Sequence, residues 1–75
     1  MNTKGVITME ANVFYKPQCK LIGEDGNVFF IIGKVTRTLK EFGYPDKAKE
    51  FKEKATASKS YDEVLQLVMD YVEIV

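Results

Sequence analysis

Hydrophobic residues recur at helical spacing between residues 28 and 42, and this is the most regular pattern in the chain. Asn27, which precedes the pattern, is a residue type that caps helix N-termini. Gly43 follows it, at the position where helices commonly end in a left-handed residue. The apolar positions of this stripe are Val28, Ile31, Ile32, Val35, Leu39 and Phe42. We therefore predict a helix over residues 28–42 with this stripe in a core.

Two further helices are predicted after the first. Pro45 suits the first position of a helix, and Ser60 and Glu63 have the spacing of a capping box. The predicted inner faces comprise Tyr44, Ala48, Phe51 and Ala55 in one helix and Tyr61, Val64, Leu65, Val68 and Val72 in the other. The first of these stripes is narrow, which is typical of a surface helix with one line of contact.

Strand patterns flank the helices. Residues 5–15 alternate between apolar and polar positions, which favours a half-buried strand. Pro17 breaks this pattern, and residues 19–22 are apolar enough for a second strand that could form a hairpin with the first. The β-branched, alternating residues 72–75 predict a closing strand. The alternative for residues 1–18 is an arm that becomes ordered only when it meets a partner.

These elements predict an α+β fold in which three helices pack on one side of a small, mostly antiparallel sheet. The chain is expected to be one domain, with an arm over residues 1–18 and a compact core over residues 19–75. The residues expected in the hydrophobic core are Ile22, Val28, Ile31, Ile32, Val35, Leu39, Phe42, Phe51, Val64, Leu65, Val68 and Val72.

Composition argues against most kinds of chemistry. The 75 residues include no histidine and one cysteine, so an internal disulfide is excluded and structural zinc is not expected. Cys19 and Ser60 have no histidine to act as a base, and no carboxylates are paired for acid–base work. We therefore expect a protein that is not an enzyme and needs no metal or cofactor. A lone thiol, no apolar leader and no membrane span favour the cytoplasm.

The turn over residues 23–27 invites comparison with phosphate-binding loops, because it precedes a helix. Its spacing matches neither a P-loop nor a dinucleotide fingerprint, and Glu24 and Asp25 would repel a phosphate. A divalent ion held by Glu24, Asp25 and Asn27 is the alternative, but calcium loops offer more oxygens. An ordinary turn with an N-cap is the favoured interpretation.

Four residues of the first predicted helix lie off its core stripe and are our candidates for a partner contact: Phe29, Phe30, Gly33 and Arg37. Glycine inside a helix costs about 1 kcal/mol relative to alanine, so its presence suggests close approach of another backbone. Either another segment of this chain covers this face, or the face is an apolar patch for a second subunit or a partner protein. We favour self-association as a homodimer, because so small a core provides little stability on its own.

Charge is balanced overall but uneven along the chain. The 11 basic and 11 acidic residues give a net charge of zero, which provides no general attraction to nucleic acid. Residues 34–59 nevertheless carry eight basic and four acidic residues, whereas residues 60–75 carry four acidic residues and no basic ones. One interpretation is that the two segments lie side by side, so that their charges offset each other. The alternative is that the basic segment binds nucleic acid through Lys34, Arg37, Lys40 and Lys47.

The turn DGN-x-F, the later RTLKEFG and the ending SYDEVL…YVEI give the chain a family resemblance. It resembles a group of short uncharacterised proteins of bacteria and of mobile elements such as phages and conjugative transposons. The resemblance covers residues 20–75. It implies an accessory role in a cell or mobile element, and it assigns no catalytic, cofactor-binding or partner-binding residue.

Overall fold

The computed structural model describes residues 14–75, which form three helices and two short strands. In chain order these are β1 (Gln18–Cys19), α1 (Val28–Glu41), α2 (Pro45–Ala57), α3 (Tyr61–Tyr71) and β2 (Glu73–Ile74). The α+β class is therefore as predicted. The strand predicted over residues 5–15 falls almost wholly outside the described residues, and neither Phe14 nor Tyr15 belongs to a strand.

The sheet is parallel, so the prediction of a mostly antiparallel sheet is wrong for the described strands. Gln18 is paired with Glu73 and Cys19 with Ile74. Parallel strands need a crossover of a dozen or more residues, and the three helices form that crossover here. The antiparallel prediction assumed a hairpin between strands that are neighbours in sequence. In the structure, the strand around Cys19 pairs instead with the strand that follows α3.

The ends of α1 are fixed by the residues that the sequence singles out. The Asn27 side chain accepts a hydrogen bond from the Phe29 backbone N–H at 2.8 Å, which caps the first turn. Gly43 has a φ of +89°. Its N–H donates to the Lys40 carbonyl, and the Tyr44 N–H donates to the Leu39 carbonyl. These two bonds form a Schellman motif, which turns the chain directly into α2.

The capping box of α3 is also formed. The Ser60 hydroxyl accepts a hydrogen bond from the Glu63 N–H at 3.1 Å. The Glu63 carboxylate in turn accepts from the Lys59 N–H at 2.8 Å, one residue before the position that a capping box usually satisfies. Pro45 is the first residue of α2, as predicted. Local sequence signals therefore set where each of the three helices begins.

One hydrophobic core lies between the helices and the sheet. Eight of the predicted core residues are buried, and Val28 and Leu65 are half-buried against them. Tyr71 is buried as well. Within residues 14–75, the buried apolar residues are Cys19, Ile31, Ile32, Val35, Leu39, Ala48, Phe51, Ala55, Val64, Val68, Tyr71 and Val72. The Thr38 hydroxyl, 3.5 Å from the Cys19 sulfur, joins α1 to β1 within this core.

Two residues predicted in the core are exposed. Ile22 is 67% exposed, since it lies beyond β1 in the turn that leads to α1, where its backbone N–H donates to the Val75 carbonyl. Phe42 is 61% exposed and caps the C-terminus of α1. The Schellman motif carries Tyr44 back over the end of the helix, so Tyr44 packs against the core where Phe42 was expected.

Candidate functional site

The side of α1 that faces away from the core carries two exposed aromatic rings. Phe29 is 78% exposed and Phe30 is 36% exposed, whereas Ile31 and Ile32, which follow them, are buried. This change from exposed to buried residues follows from helical geometry, since a single stripe of α1 faces α2 and α3. The rings are therefore held on a rigid helix and not on a loop.

All four predicted contact residues come together on this side of α1. A shallow groove of about 290 Å³ is lined by Phe29, Phe30, Gly33, Lys34 and Arg37. These five residues are called the α1 outer face below. Apart from the two neighbouring residues and the backbone of α1 itself, no described atom lies within 4 Å of where a Cβ on Gly33 would be. Gly33 therefore forms a notch in the helix surface one turn from both aromatic rings.

Basic side chains border the aromatic pair. The Lys34 ammonium lies 5.8 Å from the centre of the Phe30 ring, within cation–π range. A second groove, of about 260 Å³, continues from Gly33 and Arg37 to Lys40 of α1 and Lys52 of α2. Three of the four residues predicted to contact nucleic acid thus line this pair of grooves.

Lys47 lines neither groove. Its ammonium lies 5.3 Å from the centre of the Phe14 ring, beside the aromatic contact of Phe14 with Tyr44. Lys52, and not Lys47, lies beside Arg37 and Lys40. The order of the cations along the chain does not show which of them lie side by side. Selecting Lys52 requires knowledge of how α2 packs against α1.

A third groove, which the sequence does not predict, lies where the start of α1 meets the end of α2 and the start of α3. It measures about 320 Å³, and Val28, Phe29, Ile32, Ala55 and Tyr61 contribute to its walls. The Tyr61 hydroxyl donates to the Gly26 carbonyl at 3.0 Å, which joins the start of α3 to the turn before α1. Phe29 therefore stands between two grooves. Helical periodicity can predict the faces of the individual helices, but it cannot predict where these faces meet to form a groove.

The acidic turn before α1 serves to cap that helix. The Asp25 carboxylate accepts a hydrogen bond from the Asn27 N–H at 2.9 Å, and the Asn27 amide oxygen accepts from the Phe29 N–H. Within residues 14–75, no group of three or more cysteine or acidic residues is arranged to hold a metal ion. These hydrogen bonds are those of a turn followed by an N-cap, which is the favoured interpretation of residues 23–27.

The titratable groups with shifted pKa values join α2 to α3. Tyr71 donates a hydrogen bond to Glu50, and its ring packs edge-on against Phe51 at 5.4 Å between centroids. Burial, followed by the bond to Glu50, raises the pKa of Tyr71 well above its usual value. The same bond lowers the pKa of Glu50, assisted by Lys47 and Lys54. Lys54 also forms an ion pair with Glu50, at 3.6 Å between the ammonium and a carboxylate oxygen.

None of the helices within residues 14–75 is long and apolar enough to span a membrane. Comparisons of the chain with protein-family models, with curated proteins and with solved structures return no match.

Proposed function

We propose that this chain is a small, non-enzymatic interaction protein of the cytoplasm, which binds itself or another protein through the α1 outer face. The observation that carries the proposal is the exposure of Phe29 and Phe30 beside the Gly33 notch. Adjacent exposed aromatic rings on a rigid helix are typical of the anchors that dominate binding energy in protein interfaces. Arg37, another residue type enriched in such interfaces, completes the surface.

Location on a helix makes this surface suited to binding. Side chains on α1 keep their relative positions without further ordering, which reduces the entropy lost on association. A partner that inserts a side chain above Gly33 would contact both rings and the aliphatic part of Arg37. The family resemblance supports an accessory role for such a module in a cell or mobile element, and it assigns no partner.

Substitution of the aromatic residues tests this proposal. Phe29→Asp and Phe30→Asp place a charge on the α1 outer face, and acidic residues are favourable in the first turn of a helix. Phe42→Asp is the matched control, because Phe42 is similarly exposed but lies at the opposite end of α1. We expect the first two variants to fold, as judged by circular dichroism, and to lose self-association or capture of a protein partner.

The proposal is wrong if Phe29→Asp and Phe30→Asp both fold and retain every association of the wild type. The control must retain these associations. Partners recovered from lysate should be treated with nuclease before comparison, so that bridging by nucleic acid does not count as protein binding.

The second candidate is a nucleic-acid-binding accessory protein. The observation that favours it is the continuous path of Lys34, Arg37, Lys40 and Lys52 beside two exposed aromatic rings. Cations that contact phosphates next to rings that stack on bases are the usual means of binding single strands. Lys47, the fourth cation predicted from the sequence, would contribute only if the strand extended around α2.

Salt dependence separates this candidate from the first. Phosphate contacts make affinity for an oligonucleotide fall steeply with salt concentration. Arg37→Glu combined with Lys40→Glu should abolish binding to a single-stranded oligonucleotide, whereas Lys49→Glu combined with Lys59→Glu should reduce it only slightly. Equal binding by the two double variants would remove the nucleic-acid candidate.

A further inference from the structure

The charged and aromatic groups along α1 follow a directional order. The exposed acidic residues Glu24 and Asp25 lie in the turn before the helix. The aromatic pair comes next, followed by the Gly33 notch one turn later. Arg37 and Lys40, also exposed, complete the order towards the C-terminus of α1. The chain is therefore acidic just before α1 and carries a net positive charge towards the end of the helix, where Arg37 and Lys40 outweigh the exposed Glu41.

Such an order is self-complementary under two-fold symmetry. If two copies of α1 pack antiparallel about an axis between Phe30 and Gly33, residues equidistant from the axis face each other. Phe30 of one copy then lies over Gly33 of the other, and the reverse contact forms as well. An aromatic side chain is thus placed at the position where the helix has no side chain.

The same arrangement pairs opposite charges. Arg37 lies four residues beyond Gly33, or about 6 Å along the helix axis. The same symmetry places Arg37 of each copy level with Gly26 of the other, the residue that follows Asp25, so the two opposite charges come near each other. Lys40 is likewise directed towards the acidic turn. A parallel pair would instead place like charges side by side, which disfavours it.

We infer that the occupant of the α1 outer face is a second copy of this chain, docked antiparallel through α1. The inference rests on the proposed function, and it specifies the partner. One pair of short helices buries less surface than a standard stable interface. The dimer is therefore weak, and its population depends on protein concentration and falls as salt screens the paired charges.

A charge-swap cycle tests the pairing of Asp25 with Arg37. Asp25→Arg and Arg37→Asp alone each turn an attraction into a repulsion, and symmetry repeats the change at both ends. We expect each to weaken dimerisation on the order of tenfold, as measured by sedimentation equilibrium. The double variant Asp25→Arg/Arg37→Asp should recover most of the wild-type affinity. That recovery requires the two residues to face each other across the interface.

The control for net charge is Asp25→Arg/Lys49→Asp, which has the same total charge as the double variant. Lys49 is exposed on α2 and contributes to none of the three grooves. This control should remain as weak as Asp25→Arg alone. If it recovers as fully as the charge swap, the effect is one of overall charge and the inference is wrong. Should Asp25→Arg fail to fold, the cycle of Glu24→Arg with Lys40→Asp decides the same question.

The inference and the proposed function can fail separately. A wild-type chain that stays monomeric at millimolar concentration and low salt overturns the antiparallel dimer. If Phe29→Asp still abolishes capture of a different protein in that case, the proposed function stands with another partner. If the chain dimerises but Phe29→Asp and Phe30→Asp leave both the dimer and all capture intact, the two proposals fail together.

Discussion

The phenol of Tyr71 donates a hydrogen bond to the carboxylate of Glu50, and this bond joins the last residue of α3 to the middle of α2. The Tyr71 ring is buried against Phe51, whereas Glu50 is partly open to solvent and also pairs with Lys54. A buried phenol needs a hydrogen-bond acceptor, and Glu50 provides one at the edge of the core. The contact therefore fixes how α3 lies against α2 and links stability to pH.

Tyr71→Phe should give a stability difference that depends on pH. The bond lowers the pKa of Glu50, so its contribution is present above the ordinary carboxylate range and is lost as pH falls through the lowered value. It also takes part in raising the pKa of Tyr71, so the contribution is lost as pH rises above about 10. Urea unfolding at a series of pH values should show the largest difference between wild type and variant near neutrality. A difference that stays constant from acid to alkali would contradict this linkage.

Two phenylalanines that sequence analysis placed in the core should behave differently. Phe51 is fully buried, so Phe51→Ala should cost about 3–5 kcal/mol. That is comparable with the whole stability of a domain of this size, and the variant should be largely unfolded at 25 °C. Phe42→Ala should change the unfolding free energy by only about 0.5 kcal/mol, because this ring is exposed. Circular dichroism in urea measures both, and equal losses would contradict the assignment of Phe42 to the surface.

The contrast between these residues explains which features could be predicted from sequence. Asn27, Gly43 and Ser60 act on backbone groups within a few residues of themselves, so their patterns locate the helices. The exposure of Phe42 depends instead on which side chain returns over the end of α1, and the turn at Gly43 places Tyr44 there. The direction of the strands depended on pairing across three helices. Neither feature is encoded locally.

The candidate surface also has some features that the sequence predicts and others that depend on how the helices pack. Phe29, Phe30, Gly33 and Arg37 were found because they deviate from the stripe of their own helix, which is a property of one element. The sequence points neither to Lys52 nor to the groove between Ala55 and Tyr61. Both require the packing of α1 against α2 and α3.

Removal of the α3 cap should destabilise the protein moderately. The Ser60 hydroxyl accepts from the Glu63 N–H, and Ser60→Ala leaves that donor without its partner. We expect a loss of about 1 kcal/mol in the unfolding free energy, seen as a lower urea midpoint with an unchanged slope. Ser60→Asp is the control, since aspartate also caps helices and complements the dipole. If both variants lose equal stability, the serine contributes through something other than its cap.

Alanine substitutions at two glycines should have opposite effects. Gly43 has a φ of +89°, where a Cβ is strained, so Gly43→Ala should lower stability by about 1 kcal/mol. Gly33 lies within α1, and no described atom beyond its two neighbours and the helix's own backbone would contact its Cβ, so Gly33→Ala should raise monomer stability by about 1 kcal/mol. In the antiparallel dimer the partner's Phe30 occupies that notch. The gain at Gly33 should therefore shrink as protein concentration increases, whereas the loss at Gly43 should not change. Thermal unfolding at dilute and concentrated protein measures both effects, and a gain at Gly33 that is independent of concentration would argue against close approach at this position.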